Sequence, residues 1–419
     1  MNSSTHSVTV EPWKRSLLIV CGMALLARAL YTCTVFDLTA EHYWEYGEIA
    51  KNLHLGKGYS LFWHNGSVVT QLSSPSSTSY PSAHMPPAYV VFLFPFFFVD
   101  NVVLRNALIV VFQSLIACSA VVLMYRWMLM HFPARTALLA ALLAALLPEF
   151  VYAAGSMTPT VVFHAGFLAT LPLLYSFSLE TSSLRRAVYA ALGCAGLIYL
   201  RSEFALFCVV FLASVLVQKH YRSAAAFFAV LALSFLPWQV RNAVDLHAFI
   251  PLTTNFGQNL YRGHNSLELG AWADEAMWRE ASAIPGGPRF ELELNRLYLN
   301  RAIDFMLKHP VQEIENSFVK LAHFWLWNPS DLRSGRLLYR IPWVFLLLFA
   351  AVGIRQVHFW RDHWPVALFL AASTATAVLF FSLPRYQTMM KIALLPFAAH
   401  GMMLVWDRLR TTSSNAPEH

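Results

Sequence analysis

Charge is what this chain has least of. Acidic and basic residues fill 13% of its 419 positions, about half the share a soluble globular domain carries. That scarcity excludes a water-soluble protein. The apolar residues instead come in repeated runs of roughly 17 to 25, each long enough to cross a bilayer core. Cysteine is sparse too. Cys21, Cys33, Cys118, Cys194 and Cys208 all lie in or beside apolar runs at no metal-ligand spacing, so neither a disulfide framework nor a zinc site is indicated. There is no P-loop, Rossmann fingerprint, HExxH or GxSxG, and the first loop holds no DxD-like acid pair. A mechanism using a nucleotide sugar or hydrolysing a nucleotide therefore has no support. No tandem or inverted repeat is evident. No cofactor is called for, and a divalent metal, though compatible with the chemistry below, has no ligand set pointing to it.

What the chain does have is an all-α polytopic pattern. Spans are expected near 16–36, 103–125, 135–154, 158–178, 186–201, 203–219, 222–238, 341–357, 363–383 and 387–406. Lys14 and Arg15 precede an apolar run without a small-x-small cleavage site, which reads as an uncleaved anchor. The net charge of +7 does not imply nucleic acid, because the Lys and Arg sit in short inter-helix loops. There they set topology and hold anionic lipid headgroups. The segment 86–99 is apolar but short and interrupted by Pro95. Reading it as re-entrant or interfacial puts the basic clusters on one side of the membrane. The polar turns then gather on the other side, at 37–87, 155–160, 200–203, 237–242 and 384–387. We divide the chain into an N-terminal membrane module (1–240, with its first loop 37–87), an extracytoplasmic cap (241–340) and C-terminal membrane helices with a short tail (341–419). The cap is expected to begin extended, then to form helices near 273–282 and 290–308 and an interfacial aromatic stretch at 315–329.

The first loop organises the rest. Thr39 is placed as an N-cap and Gly56 and Gly58 as stops, so 40–55 reads as one surface helix. Tyr43, Tyr46, Ile49, Ala50 and Leu53 fall on one side, and Glu41, Glu45 and Glu48 on the other. Glu45 is the first candidate for a catalytic base; the plainer reading is a solvated helix face. Glu41 is the second, although an acid in a first turn is also favoured by the helix dipole. Arg201 and Glu203 lie between two apolar runs, where an ionisable residue marks function by default. Arg201 suits a phosphate, and its alternative is an ion pair with Glu203 that closes a hairpin. Arg241, Arg385 and Lys391, the latter two flanking Tyr386, are further phosphate candidates, or they snorkel to headgroups. His84, Pro86 and Pro87 make a rigid corner that can shape a pocket. Asn255 and Gly257 mark a turn where backbone could approach a ligand closely.

Taken in order, EYGEIAKNLHLGKGYS, HMPPAYV, LIYLRSEF, PWQVRNAVDLHAFIPLTTNFGQNLYRGHN, AIDFMLKHPVQ and PRYQ resemble the GT-C fold glycosyltransferases that use polyprenyl-phosphate sugars. Within that fold the chain is similar to bacterial relatives of protein O-mannosyltransferases and lipid A aminoarabinose transferases, of the family 39 type. The resemblance implies about 10–11 transmembrane helices, interfacial helices in the first extracytoplasmic loop and a helical periplasmic cap. It implies a catalytic acid in that loop and inverting transfer of one sugar from an undecaprenyl-phosphate-type donor. The acceptor would be a glycolipid, polysaccharide or protein on the periplasmic face of a bacterial inner membrane. Members often carry an Asp four residues before the helix Tyr; here that position is His42, with Glu41 beside it and Glu45 before Tyr46. The base is therefore Glu45, Glu41 or both. Two rivals stand beside the enzyme. A lipid-sugar transporter would need charges deep in spans and internal repeats, and a non-catalytic assembly subunit would tolerate loss of both acids.

Overall fold

The computed structural model describes residues 11–41, 43–64, 67–68, 79–178, 183–267, 275–285, 287–328 and 336–414. Helix α1 (Glu11–Thr34) opens a helical bundle. The first loop follows, with α2 (Trp44–His54), strands β1 (Ser60–His64), β2 (Ser67–Val68) and β3 (Ser79–Pro81), and α3 (Pro87–Leu93) running into a 3-10 turn over Phe94–Phe98. The bundle continues through α4 (Val102–Met128), α5 (Ala134–Leu146), α6 (Pro148–Gly155), α7 (Thr160–Tyr175), α8 (Leu184–Leu200), α9 (Phe204–Val217) and α10 (Tyr221–Asp245). A cap of α11 (Phe256–Gly263), α12 (Glu275–Ser282), α13 (Phe290–Lys308) and α14 (Pro310–Trp325) comes next. The chain then returns through α15 (Leu337–Arg355), the single turn α16 (Phe359–Asp362), α17 (Trp364–Leu379) and α18 (Pro384–Ser414).

This is a multi-pass membrane protein. Among the described residues five helices are long and apolar enough to cross a membrane: the Lys14–Thr34 stretch of α1, α4, α10, α15 and the Tyr386–Thr412 stretch of α18. The pair α5–α6 makes a sixth span if counted as one, bent by 49°. Proline explains the bend. Leu147, ahead of Pro148, takes φ −55° and ψ 127°, the extended conformation that a following proline enforces. The expected span 135–154 is thus a broken one. Helices α7, α9 and α17 are apolar but shorter, as is Pro87–Phe98. That last segment falls short of the ~30 Å bilayer core.

The bundle is inside out. Leu18, Ile19, Leu26 and Leu30 of α1 face outward, while Ala137, Ala140, Ala141, Ala144 and Ala145 of α5 are buried. Small side chains let helices approach closely where lipid supplies no hydrophobic drive between them. One close case is α15 against α18. A Cβ on Gly353 would sit 2.0 Å from Phe397 O, and one on Gly401 2.0 Å from Phe349 O.

The first loop differs from its expected form in two ways. Three antiparallel strands in the order β2-β1-β3 follow α2. The helix also begins at Trp44 rather than residue 40, with Tyr43 at the N-cap and no side-chain cap bond. Thr39 does not cap it, and instead donates its amide and hydroxyl to Asp37 Oδ1. The cap likewise departs from the extended start, because Phe256–Gly263 is helical. The pattern at 290–308 is met by α13 end to end. The chain beyond 414 lies outside the described residues.

Gly401→Leu is expected to overpack the α15–α18 crossing at about 1–3 kcal/mol or more. Thermal unfolding in detergent should show a clear fall in melting temperature. Gly22→Ala, whose Cβ would meet nothing within 4 Å, should not lower it.

Candidate functional site

One buried cation shapes the first loop. Arg105 stands one turn into α4, whose N-cap Asn101 accepts from Leu104 N at 2.9 Å. Its guanidinium meets Glu41 Oε1 at 2.6 Å and donates to Tyr43 Oη at 2.9 Å, and it lies 4.9 Å from the Phe97 ring centre. Tyr43 Oη itself donates to Asn106 Oδ1 at 2.5 Å. Asn106 in turn donates to Leu38 O at 2.7 Å and Ala40 O at 3.1 Å. Leu38, Ala40, Glu41 and Tyr43 are thereby drawn onto α4, which is why the helix starts late. Burial pushes the Tyr43 phenol up, against the pull of Arg105.

The three acids of the loop end in different places. Glu41 precedes the helix and is engaged by Arg105, with Lys51 at 3.8 Å. Glu48 is 6% exposed. Glu45, in the first turn of α2 and half-buried, makes no hydrogen bond or ion pair among the described residues. Next to it Tyr46 meets Tyr89 edge to face at 5.3 Å. Tyr89 donates to Gln113 at 2.9 Å, and Gln113 donates to Ala154 O at 2.9 Å. An aromatic wall thus joins the loop to the turn at 155–160. There the hydroxyls of Ser156, Thr158 and Thr160 form a chain with steps of 3.2 and 3.1 Å.

The same end of the bundle holds Arg201 in the extended break between α8 and α9. It is 7% exposed, bonds Glu203 Oε1 at 2.6 Å and lies 5.0 Å from the centre of the Tyr386 ring. The hairpin-closing pair and the contact with Tyr386 therefore coexist. Two residues beyond Tyr386, α18 brings Thr388, whose carbonyl sits 3.1 Å from His164 Nε2. Further along, Lys391 pairs with Glu149 of α6 and lies 4.5 Å from the Trp343 ring centre. The Arg385 side chain and His42 lie outside the described residues.

Arg241 belongs to a separate network. Its nitrogens donate to Ser82 O, Tyr59 O and Asn242 Oδ1 and pair with Asp245 at 2.9 Å, while Tyr59 and Trp238 flank it. It fastens the strand region of the first loop to the exit of α10. His84 is buried. Its carbonyl accepts from Asn255 Nδ2 at 2.9 Å, and its ring makes no hydrogen bond among the described residues. Pro86 and Pro87 start α3. The close approach at Gly257 is to protein, since a Cβ there would lie 2.1 Å from Asn295 O of α13.

Two functional-looking groups escape the sequence reading. Glu291 of α13, 2% exposed, accepts from Ala83 N at 2.9 Å and Thr254 Oγ1 at 2.7 Å. It adds to the burial that pushes the Tyr80 and Tyr59 phenols up. No local signal marks it. Arg28 of α1 donates to Ala145 O at 2.9 Å and Phe150 O at 3.3 Å, across the α5–α6 break. An ionisable residue inside an apolar run is a signal shared by Arg28, Arg105 and Arg201. Among the described residues no three His, Cys, Asp or Glu side chains converge as metal ligands do.

No family model matches the sequence, and no curated protein matches it. Solved structures do. The archaeal oligosaccharyltransferase AglB from Archaeoglobus fulgidus, in complex with an inhibitory peptide and a dolichol-phosphate, superimposes with a TM-score of 0.56 at 12% identity. The match covers 98% of this chain and 52% of that one. The Archaeoglobus fulgidus oligosaccharyltransferase tethered to an acceptor peptide gives 0.55 at 12% identity, over 96% and 50%. ArnT from Cupriavidus metallidurans gives 0.39 at 14% identity, over 92% and 77%, too loose a superposition to bear on the fold. The chain spans about half the length of the oligosaccharyltransferases it matches. Its fold is the GT-C fold.

Tyr43→Phe should strand the buried Asn106 carbonyl oxygen, at about 1–3 kcal/mol. A lowered melting temperature, together with faster proteolysis of the first loop, is the expected result.

Proposed function

We propose that the chain is a membrane glycosyltransferase. It transfers one sugar, with inversion, from a polyprenyl-phosphate donor to a glycolipid, polysaccharide or protein acceptor on the periplasmic face of a bacterial inner membrane. The fold supports the class, because the AglB it resembles is an oligosaccharyltransferase whose complex holds dolichol-phosphate. One observation carries the reading. Of the two acids considered for the base, Glu41 is engaged by Arg105, whereas Glu45 has no hydrogen bond or ion pair among the described residues.

In this reading Glu45 is the general base. The acceptor oxygen or nitrogen attacks the anomeric carbon while its proton passes to Glu45. The bond from that carbon to the phosphate oxygen breaks, and its electron pair leaves with the polyprenyl phosphate. Arg201 stabilises the charge that grows on the phosphate, its guanidinium already oriented by Glu203 and Tyr386. Lys391 of α18, which pairs with Glu149 in the bundle, and Arg385 at the start of the same helix are further candidates for the phosphate. Arg241, each of whose nitrogens has a protein acceptor, holds the loop in place. The apolar spans and the cap keep water from the donor, which limits hydrolysis.

Glu45→Gln in proteoliposomes should cut transfer from a polyprenyl-phosphate sugar by about 10²–10⁴-fold with melting unchanged. Undiminished transfer by a folded Glu45→Gln protein would refute the base.

A further inference from the structure

A buried acid–base chain lies where the cap meets the bundle, and the reaction above makes no use of it. His264 follows the end of α11 and is 5% exposed. Its Nδ1 is 2.5 Å from Glu313 Oε2 on α14, which leaves the Nε2 edge 2.7 Å from Leu379 O. Lys320, two turns further along α14, is 1% exposed. Its Nζ lies 3.2 Å from His264 Nε2 and 3.2 Å from Val378 O.

Those two carbonyls belong to the last turn of α17, where a helix leaves its own acceptors without internal donors. A cation there also faces the favourable end of the helix dipole. Burial lowers the Lys320 ammonium to about 8, with Glu313 opposing. An amine buried to that degree, yet aimed at a helix end, needs a structural reason. The backbone supplies one: a Cβ on Gly263 would lie 1.5 Å from Phe380 O, so the cap closes directly on the exit of α17.

Helix α14 also grips the other side of this turn. Asn328, just past its end, donates to Ser382 O at 3.4 Å. Gln387, one residue after Tyr386, donates to Phe324 O at 2.6 Å and to His323 O and Leu326 O at 3.1 Å each. Held at 378–379, at 382 and at 387, the segment has little freedom between. Within it Tyr386 reaches the guanidinium of Arg201, and Phe381 packs edge to face on Tyr386 at 5.8 Å.

We propose that His264 and Lys320, with Glu313 orienting the imidazole, are positioning residues through which cap helix α14 brackets the 378–387 turn and fixes Tyr386 against Arg201. The effect on the donor phosphate rests on the function proposed above; the bracket itself does not. Loosening the bracket lets the turn move without unfolding the spans, so the donor end of the site suffers and the acceptor end does not.

The test is hydrogen exchange on the full-length protein in nanodiscs, read beside kinetics with a polyprenyl-phosphate sugar. Lys320→Met should speed exchange of the 378–387 amides about tenfold, with α1 and α4 unchanged. It should also raise the donor KM about tenfold while leaving the acceptor KM in place, a split that general instability would not produce. If Lys320→Met fails to accumulate, Glu313→Gln, which keeps an acceptor for Nδ1 but removes the charge, should give the same local rise. Unchanged exchange at 378–387, or a rise spread over the whole bundle, would overturn the bracket. A local rise in a protein whose wild type transfers no sugar would uphold the bracket and sink only the transferase reading.

Discussion

A cation inside an apolar bundle must be given acceptors, and that requirement orders this protein. Burying an unpaired charge costs several kcal/mol even after relaxation, so each buried Arg or Lys here draws structure around itself. Arg28 collects carbonyls across the bent α5–α6 pair, and Arg105 draws in Glu41 and Tyr43. Arg241 gathers the carbonyls of Tyr59 and Ser82. Lys391 takes Glu149, and Lys320 takes the end of α17. Each case joins elements far apart in sequence.

The same requirement sorts the polar residues at the loop-bearing end of the bundle. A cation with every nitrogen engaged by protein acceptors, as in Arg241, serves architecture. Arg201 is held from one side by Glu203 and stacked on Tyr386, which orients it without exhausting a guanidinium's five donors. Among the acids the sorting runs in reverse. Glu41 is claimed by α4 and Glu291 by the backbone of the first loop, so the half-buried Glu45 stands apart. Placing the acid, the cation and the cap at one end leaves the other end to rings such as Tyr175 and His363, joined at 2.9 Å.

Much of this was legible residue by residue. The apolar runs locate the helices, the short segment interrupted by Pro95 passes from α to 3-10 near that residue, and the amphipathic pattern at 290–308 coincides with α13. Arg201 and Glu203 declare themselves by lying between apolar runs. Other features were misread for a common reason. The spacing of Glu41, Glu45 and Glu48 implies one helix face, but the pull of Arg105 and Asn106 on Leu38, Ala40, Glu41 and Tyr43 delays the helix and separates the acids. Asn255 and Gly257 read as a turn where backbone approaches a ligand. Their surroundings are His84 and α13, which no local pattern reports.

What the amino-acid order determined alone is the class of object, a mainly helical membrane bundle, because hydropathy and periodicity act over one or two turns of chain. What the tertiary structure decided is which charges are engaged and which remain available. Polar contacts such as Glu41–Arg105, Lys391–Glu149 and Glu313–His264 join residues 64, 242 and 49 positions apart. Their strength depends on burial and on distances of a few ångströms, and only the folded bundle sets either one.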